Sequence, residues 1–148
     1  MVNLPDLEGF LKRNKKIGID SNILIYFIEA NPAYHTMTLK IFESIEEGRN
    51  TGVCASLSLL EILVQPYRNS NEELVNQFYA LLTTFPNLVW VDLNLEIADL
   101  GARLRSKYSL KTPDAILMAT AIQSNATGFI GNDSQLKKVQ ELEVFAFD

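Results

Sequence analysis

Short apolar segments alternate with longer segments of helical spacing along the whole chain. The apolar segments have the length and the β-branched or aromatic character of buried strands. Predicted strands span residues 16–20, 51–56, 87–91, 127–131 and 143–147. Predicted helices span residues 22–30, 32–47, 59–65, 72–83, 95–107, 113–124 and 134–140. Because helices separate consecutive strands, the pattern predicts parallel pairing with right-handed crossovers in a three-layer α/β fold.

Length and composition limit the number of domains and the groups that the chain can bind. At 148 residues we expect one domain over residues 1–148. The longest aliphatic and aromatic stretch, residues 23–28, is far shorter than the ~18 residues of a membrane span. No signal-peptide pattern opens the sequence, so we predict a cytoplasmic protein without membrane attachment. A single cysteine and a single histidine exclude a zinc cluster, which leaves hard cations on oxygen ligands.

The charge distribution bears on nucleic-acid binding. A net charge of -5 argues against a protein that holds nucleic acid by positive charge alone. A metal-dependent nuclease is still compatible, since four acids at a metal site would leave -1 for the rest of the chain. Two basic clusters contain Lys12, Arg13, Lys15 and Lys16, and Arg103, Arg105, Lys107 and Lys111. Solvated surface is the ordinary interpretation of both, and it suits the first cluster better than the second.

Four acidic residues interrupt segments that otherwise have the composition of a core: Asp20, Glu61, Asp114 and Asp133. Each has a structural interpretation by itself, because Glu61 has capping-box spacing from Ser58 and the other three could cap or begin helices. Ligands of open parallel sheets, however, bind beyond the carboxyl ends of the strands, where we place two of these acids. The other two are predicted in first helical turns that can open toward the same edge. Four such carboxylates would repel one another unless Mg²⁺ or Mn²⁺ joined them, so we predict a metal site.

Other catalytic signatures are absent from the sequence. The chain has no G-x-G-x-x-G, no P-loop and no G-x-S-x-G motif. His35 and Cys54 lie in a predicted helix and a predicted apolar strand, where structural roles are expected. A receiver-type phosphoacceptor domain also has aspartates at strand ends. It requires an acidic pair after the first strand, whereas Asp20 is followed by Ser21 and Asn22.

The segments around the acids resemble the PIN domain, the ribonuclease fold of VapC-type toxins from bacterial and archaeal toxin-antitoxin pairs. The resemblance covers nearly the whole chain and is strongest in I-G-I-D-S-N-I-L-I-Y and in T-P-D-A-I-L-M-A-T-A-I-Q-S-N-A-T-G-F-I-G-N-D. It implies a three-layer α/β/α PIN-like fold whose central parallel sheet has strand order 3-2-1-4-5. Asp20 and Asp133 would then lie on neighbouring strands, and Asp92 near the sheet edge would only cap a helix. Gln135 replaces an acid found in many relatives, which leaves open whether one or two metal ions bind.

The resemblance also implies an activity and a set of site residues. The activity is Mg²⁺- or Mn²⁺-dependent endonucleolytic cleavage of RNA by a metal-activated water, leaving 5′-phosphate and 3′-hydroxyl ends. The implied metal ligands are Asp20, Glu61, Asp114 and Asp133. The polar residues that would support them are Ser21, Asn22, Thr112 and Asn132. The candidates to guide the RNA backbone are Arg103, Arg105, Lys107 and Lys111.

The partners implied by the resemblance are an RNA substrate, a cognate antitoxin and a second copy of the chain in a homodimer. The helical segments 22–47 and 59–82 resemble the apolar groove that holds an antitoxin segment. Its candidate lining residues are Tyr26, Phe27, Tyr34 and Phe42, although aromatic residues at helical spacing are also typical of a core. The alternative function is a catalytically inert PIN-like module that binds RNA or protein.

Overall fold

A parallel sheet forms the centre of the protein in the computed structural model, which describes residues 3–148. The strands are β1 (Lys16–Ile19), β2 (Thr51–Ala55), β3 (Leu88–Val91), β4 (Gly128–Gly131) and β5 (Glu143–Ala146). Their order is β3-β2-β1-β4-β5, and every neighbouring pair is parallel. The predicted fold class and strand order are therefore confirmed, and each predicted strand is found to within about one residue at each end.

Helices cover both faces of the sheet. They are α1 (Leu4–Arg13), α2 (Ser21–Ile28), α3 (His35–Glu46), α4 (Ser56–Arg68), α5 (Glu72–Thr84), α6 (Leu95–Tyr108), α7 (Thr112–Gln123) and a short 3₁₀ helix, Ser134–Lys138. In one buried apolar cluster, the five helices α1, α2, α3, α4 and α5 pack on the sheet. In a second cluster, α6, α7 and the 3₁₀ helix pack on it. Within residues 3–148, no helix is long and apolar enough to cross a membrane.

Helix α1 was not predicted, although the sequence contains its signals. Asn3 caps the helix through a hydrogen bond from the Asp6 N–H to its Oδ1, and Pro5 lies in the first turn. The buried residues Leu7, Phe10 and Leu11 have helical spacing. The Phe10 ring packs 5.6 Å from that of Phe145 in the edge strand β5. Helix α1 thus closes the apolar face of the sheet beside β5.

Helix α4 differs most from its prediction. It begins at Ser56 and ends at Arg68, whereas the expected helix spanned residues 59–65 and stopped near Pro66. Pro66 lies inside the last turn, where its missing N–H removes only one helical hydrogen bond. Because the helix starts early, Ser58 lies within it, and the predicted capping box of Ser58 and Glu61 is wrong.

Gly18 in β1 allows the close approach of α7. A Cβ atom at this position would lie 2.6 Å from the Ala121 Cβ and 2.7 Å from the Phe129 Cδ2, closer than real Cβ contacts. Only glycine therefore lets α7 lie this near the central strand. The approach also sets the position of the first turn of α7 relative to the end of β1.

A buried amide joins α1 to the sheet. Asn50, which precedes β2, is 2% exposed and donates hydrogen bonds to the Leu11 carbonyl at 2.9 Å and the Asn14 carbonyl at 2.7 Å. Its Oδ1 accepts a hydrogen bond from the Ser44 hydroxyl of α3. One side chain thus forms hydrogen bonds with polar groups of α1, of the loop after α1 and of α3.

We predict that Asn50→Ala lowers the free energy of unfolding by about 1 to 3 kcal/mol, because it leaves two buried carbonyls and a hydroxyl without their partner. Chemical denaturation measures this change. Gln140→Ala, at an exposed position, is the control and should change stability by less than about 0.5 kcal/mol. Equal stability of the two variants would contradict the anchoring role of Asn50.

Candidate active site at the carboxyl ends of the central strands

Asp20 lies directly after β1, at the edge of the sheet where the carboxyl ends of the strands meet. It is 7% exposed, and its N–H donates to the Ile130 carbonyl at 3.0 Å, which extends the β1–β4 ladder. Its Oδ2 accepts a hydrogen bond from the Asn132 N–H at 3.3 Å. The Asp20 side chain makes no capping hydrogen bond to α2, which begins at the next residue. Its carboxylate is therefore held by the sheet edge, and the backbone of Asn22 at the start of α2 also favours its ionised form and opposes the rise in its pKa.

Glu61 reaches the same edge through a pair of buried serines. Ser21, at the start of α2, donates a hydrogen bond to the Glu61 Oε1 at 2.7 Å. The Ser58 Oγ lies 2.8 Å from the Ser21 Oγ, within hydrogen-bonding distance. The contact joins α2 to the second turn of α4 and orients Glu61 toward the end of β1.

Asp114 lies in the first turn of α7 and is partly buried. Burial raises its pKa, and the negative charges of Asp133 and Glu61 raise it further, while Lys111 opposes the shift. Burial likewise raises the pKa of Asp20, and the charges of Asp114 and Glu61 add to this effect. Neighbouring acids thus disfavour the ionised forms of Asp20 and Asp114, and all four predicted acids lie at the same edge of the sheet.

Asp133 caps the helix that follows it, the structural role that its position in the sequence allowed. It is exposed and caps the 3₁₀ helix, since its Oδ1 accepts a hydrogen bond from the Gln135 N–H at 2.9 Å. The negative charge of the same side chain helps to raise the pKa of Asp114. Capping and participation in the acidic cluster are therefore compatible.

The acids do not form a closed ligand set in this structure. In the part of the chain that the structure describes, no three Asp, Glu, His or Cys side chains stand in a group that could hold a metal ion as they are placed. Glu61 accepts a hydrogen bond from the Ser21 hydroxyl, and Asp133 accepts one from the Gln135 N–H. The donors are carboxylate oxygens with hydroxyl and amide neighbours, a chemistry that fits Mg²⁺ or Mn²⁺.

The predicted supporting residues separate into two groups. Ser21 contacts the acids through its hydroxyl, and Asn132 and Asn22 do so through their backbones. Thr112 is exposed, and within residues 3–148 no side-chain hydrogen bond joins it to the cluster. Tyr26, predicted from the sequence only as a groove residue, also contacts this edge, since its hydroxyl donates to the Asn132 Oδ1 at 2.9 Å. It is the one residue with a polar tip inside the apolar run 23–28, which is the signal that could have revealed this contact.

The aromatic residues predicted to line a groove pack mainly on one another. Phe27 stacks on Phe42 with ring centroids 4.0 Å apart, and Phe42 is 2% exposed. Tyr26 stacks on Tyr34 at 4.7 Å, and both rings also pack near Phe147. The groove prediction is therefore wrong for Phe42, which belongs to the core.

Ion pairs occupy part of the second basic cluster. Arg103 lies 3.2 Å from Asp99, and Lys107 lies 3.6 Å from Glu141. Arg105 and Lys111 form no ion pair within residues 3–148. Lys111 directly precedes α7, and its positive charge opposes the rise in the pKa of Asp114. This member of the cluster therefore lies near the acids.

Asp92 does not have the capping role that was expected. Helix α6 is capped by Asn94, whose Oδ1 accepts a hydrogen bond from the Ile97 N–H at 2.9 Å. Asp92 is exposed after the edge strand β3, two strands away from β1. It is thus an acid at a strand end that lies outside the acidic cluster.

Comparison with known proteins agrees with this architecture. The PIN domain family profile matches residues 17–142, and no curated protein matches the sequence significantly. A chain in the crystal structure of VapBC2 from Rickettsia felis, bound to a DNA fragment from the promoter, superposes with a TM-score of 0.70 at 18% identity, covering 90% of this chain and 99% of that chain. A chain of a toxin-antitoxin complex from Klebsiella pneumoniae gives a TM-score of 0.65 at 19% identity, with coverages of 88% and 96%. At these identities the two structures show a shared fold.

We predict that Asp114→Asn raises the stability of the metal-free protein at neutral pH, by up to about 1 kcal/mol, because it removes one of several repelling charges. The raised pKa sets the sign of the pH dependence. The ordinary pKa of the Asp114 carboxyl group is 3.8, and its pKa in the folded protein is higher. The wild type therefore loses stability as the pH rises from 3.8 through the folded-state pKa, whereas the amide of the variant does not titrate. Denaturation at several pH values with a chelator present should show the two stabilities converging at acidic pH. A variant that is less stable than the wild type at neutral pH would contradict the repulsion.

Proposed function

The chain belongs to the PIN domain family, and from this membership we propose that it is a divalent-metal-dependent endoribonuclease, the toxin of a VapBC-type toxin-antitoxin pair. The observation that supports catalysis most directly is the acidic cluster. Burial of Asp20 and Asp114 and the charges of their neighbours raise the pKa of both carboxyl groups. Such an arrangement costs folding stability, and perturbed carboxylates at one edge of a sheet are typical of functional sites.

The chemistry of the donors fits a hard cation. Asp20, Glu61, Asp114 and Asp133 are the residues that would hold Mg²⁺ or Mn²⁺. When bound, such an ion lowers the pKa of a coordinated water and stabilises negative charge on a phosphodiester. A histidine base is not required for this chemistry.

The chain's own residues prepare the site by orienting these carboxylates. The Asn132 N–H holds one oxygen of Asp20, and the Ser21 hydroxyl holds one oxygen of Glu61. Asp114 lies at the N-terminal end of α7, where the helix dipole favours a negative charge. Tyr26 restrains the side chain of Asn132, the residue whose backbone N–H holds Asp20.

An antitoxin partner is part of the proposal. The structures of similar fold are described as VapBC2 and as a toxin-antitoxin complex, which supports a protein partner for this chain as well. Large apolar side chains on α4 and α5 are exposed and could be covered by such a partner: Leu60, Tyr67, Tyr79 and Leu81. We also expect a homodimer, which light scattering at micromolar concentration would detect.

The alternative function, an inert PIN-like binding module, draws support from the hydrogen bonds that already occupy Glu61 and Asp133. An inert module would bind RNA or protein without cleaving it. Incubation of purified protein with single-stranded RNA and Mn²⁺ therefore separates the two functions.

We predict that Asp114→Asn reduces metal-dependent cleavage of single-stranded RNA by at least about 100-fold, because the amide keeps the shape of the side chain but loses the charge that a hard cation requires. Gel analysis of cleavage products measures the rate. Asp92→Asn is the matched control, since it makes the same change at an exposed strand end outside the cluster, and it should retain wild-type activity. Normal activity of Asp114→Asn, or an equal loss in both folded variants, would refute the assignment.

We also predict that Mn²⁺ or Mg²⁺ stabilises the folded protein, because the ions bind the native site and relieve the repulsion between carboxylates. At a concentration of about 100 times the dissociation constant, the gain is about 2.7 kcal/mol. A melting temperature that responds neither to millimolar Mn²⁺ nor to a chelator would count against the metal site.

A further inference from the structure

The first basic cluster, interpreted from the sequence as solvated surface, lines a cavity in the structure. The cavity has a volume of about 500 Å³ and lies between α1, α3 and the loop before β2. Its charged lining residues are Lys12, Lys15, Lys40, Arg49 and Glu8. Four cations and one carboxylate thus surround a concave surface on a chain whose net charge is -5.

Two of these cations have no acidic partner. Lys40 lies 3.5 Å from Glu8, and Arg49 lies 3.0 Å from Glu47. Lys12 and Lys15 are exposed and form no ion pair among the residues that the structure covers, 3–148. The dipole of α1 favours Lys12 in its last turn, but the other three cations come from outside that helix. Helix capping therefore does not explain why they gather here.

The cavity lies at the opposite end of the sheet from the acids. Lys15 directly precedes β1 and Arg49 lies just before β2, whereas Asp20 follows β1. At roughly 3.3 Å per strand residue, Lys15 and Asp20 are separated by about 17 Å along β1. The basic surface is thus a separate feature and not a wall of the acidic site.

We propose that this basic cavity, lined by Lys12 and Lys15, binds the phosphodiester backbone of single-stranded RNA at a distance from the bond that is cleaved. The inference rests on the proposed ribonuclease function and names a second contact for its substrate. The acidic edge repels RNA, and two of the four cations predicted to guide it are engaged in ion pairs with Asp99 and Glu141. Unpaired lysines in a concave surface supply the electrostatic attraction that this arrangement lacks.

Part of the cavity lining precedes the region that matches the PIN domain family. Lys12 and Lys15 precede residue 17, where the match to the PIN domain family begins. Helix α1 carries one wall of the cavity, and Asn50 anchors that helix beside the loop that carries Arg49.

The test compares Lys12→Gln/Lys15→Gln with the wild type in RNA binding. Fluorescence anisotropy with a single strand of about 16 nucleotides, in the presence of a chelator, measures affinity without cleavage. The double variant should bind more weakly, and its log-log dependence on salt should be shallower by about 1.4, which is about 0.7 for each cation lost. Lys12→Arg/Lys15→Arg keeps both charges and should retain the wild-type slope. Arg68→Gln removes an exposed cation outside the cavity lining and should bind as the wild type does.

Substrate length provides an independent readout. With Mn²⁺, the loss of kcat/KM in Lys12→Gln/Lys15→Gln should be larger for RNA of about 16 nucleotides than for RNA of about 4, because the short strand spans less of the path between the acids and the cavity. An equal loss for both lengths would overturn the proposal.

Two further outcomes would overturn it. One is an unchanged affinity and salt slope in the double variant. The other combines two results: inorganic pyrophosphate raises the melting temperature of the wild type but not of the double variant, and the double variant binds RNA as the wild type does. The cavity would then be a site for a free phosphate. Failure of the proposed function has a different signature, which is RNA binding through these lysines without any Mn²⁺-dependent cleavage.

Discussion

The parallel pairing of β1 with β4 is the contact around which the site is built. It continues past the end of β1, where the Asp20 N–H bonds the Ile130 carbonyl and the Asn132 N–H bonds the Asp20 carboxylate. Because neighbouring parallel strands end at the same edge, residues more than 100 positions apart in sequence become hydrogen-bonded neighbours. The absence of a side chain at Gly18 then lets α7 approach this pair and present Asp114 there.

The acidic cluster lowers the free energy of unfolding, and several elements restrain its carboxylates. Burial and mutual repulsion raise the pKa of both Asp20 and Asp114, so each ionised carboxylate opposes folding when no cation is present. The serine pair between α2 and α4 restrains Glu61, and the backbone of the 3₁₀ helix restrains Asp133.

Charge is segregated between the two ends of the sheet. The acids meet at the carboxyl ends of the strands, while Lys12 and Lys15 lie near the amino ends with Lys40 and Arg49. An anionic polymer is repelled at one end and attracted at the other, and the intervening distance is short on the scale of a nucleic-acid strand. This polarity gives a protein with an excess of acidic residues a positively charged surface, which is where we propose that its RNA substrate is held.

Local patterns in the sequence were sufficient for the alternation of strands and helices from β1 onward, because buried strands leave local signals. They also singled out four acids in apolar segments, which the fold places at one edge of the sheet and whose role as a metal site stays a proposal. The strand order came from the resemblance to the PIN domain, and the structure confirms it. The passage of α4 through Pro66 and the capping of α6 by Asn94 rather than Asp92 are local features that the sequence interpretation assigned wrongly. The burial of Phe42 in the core depended on contacts between distant segments. The convergence of Lys12, Lys15, Lys40 and Arg49 is of this kind, since α1 must pack beside α3 before their charges meet. Spacing along the chain reports which face a residue takes on its own element, and only tertiary packing decides which other elements it meets.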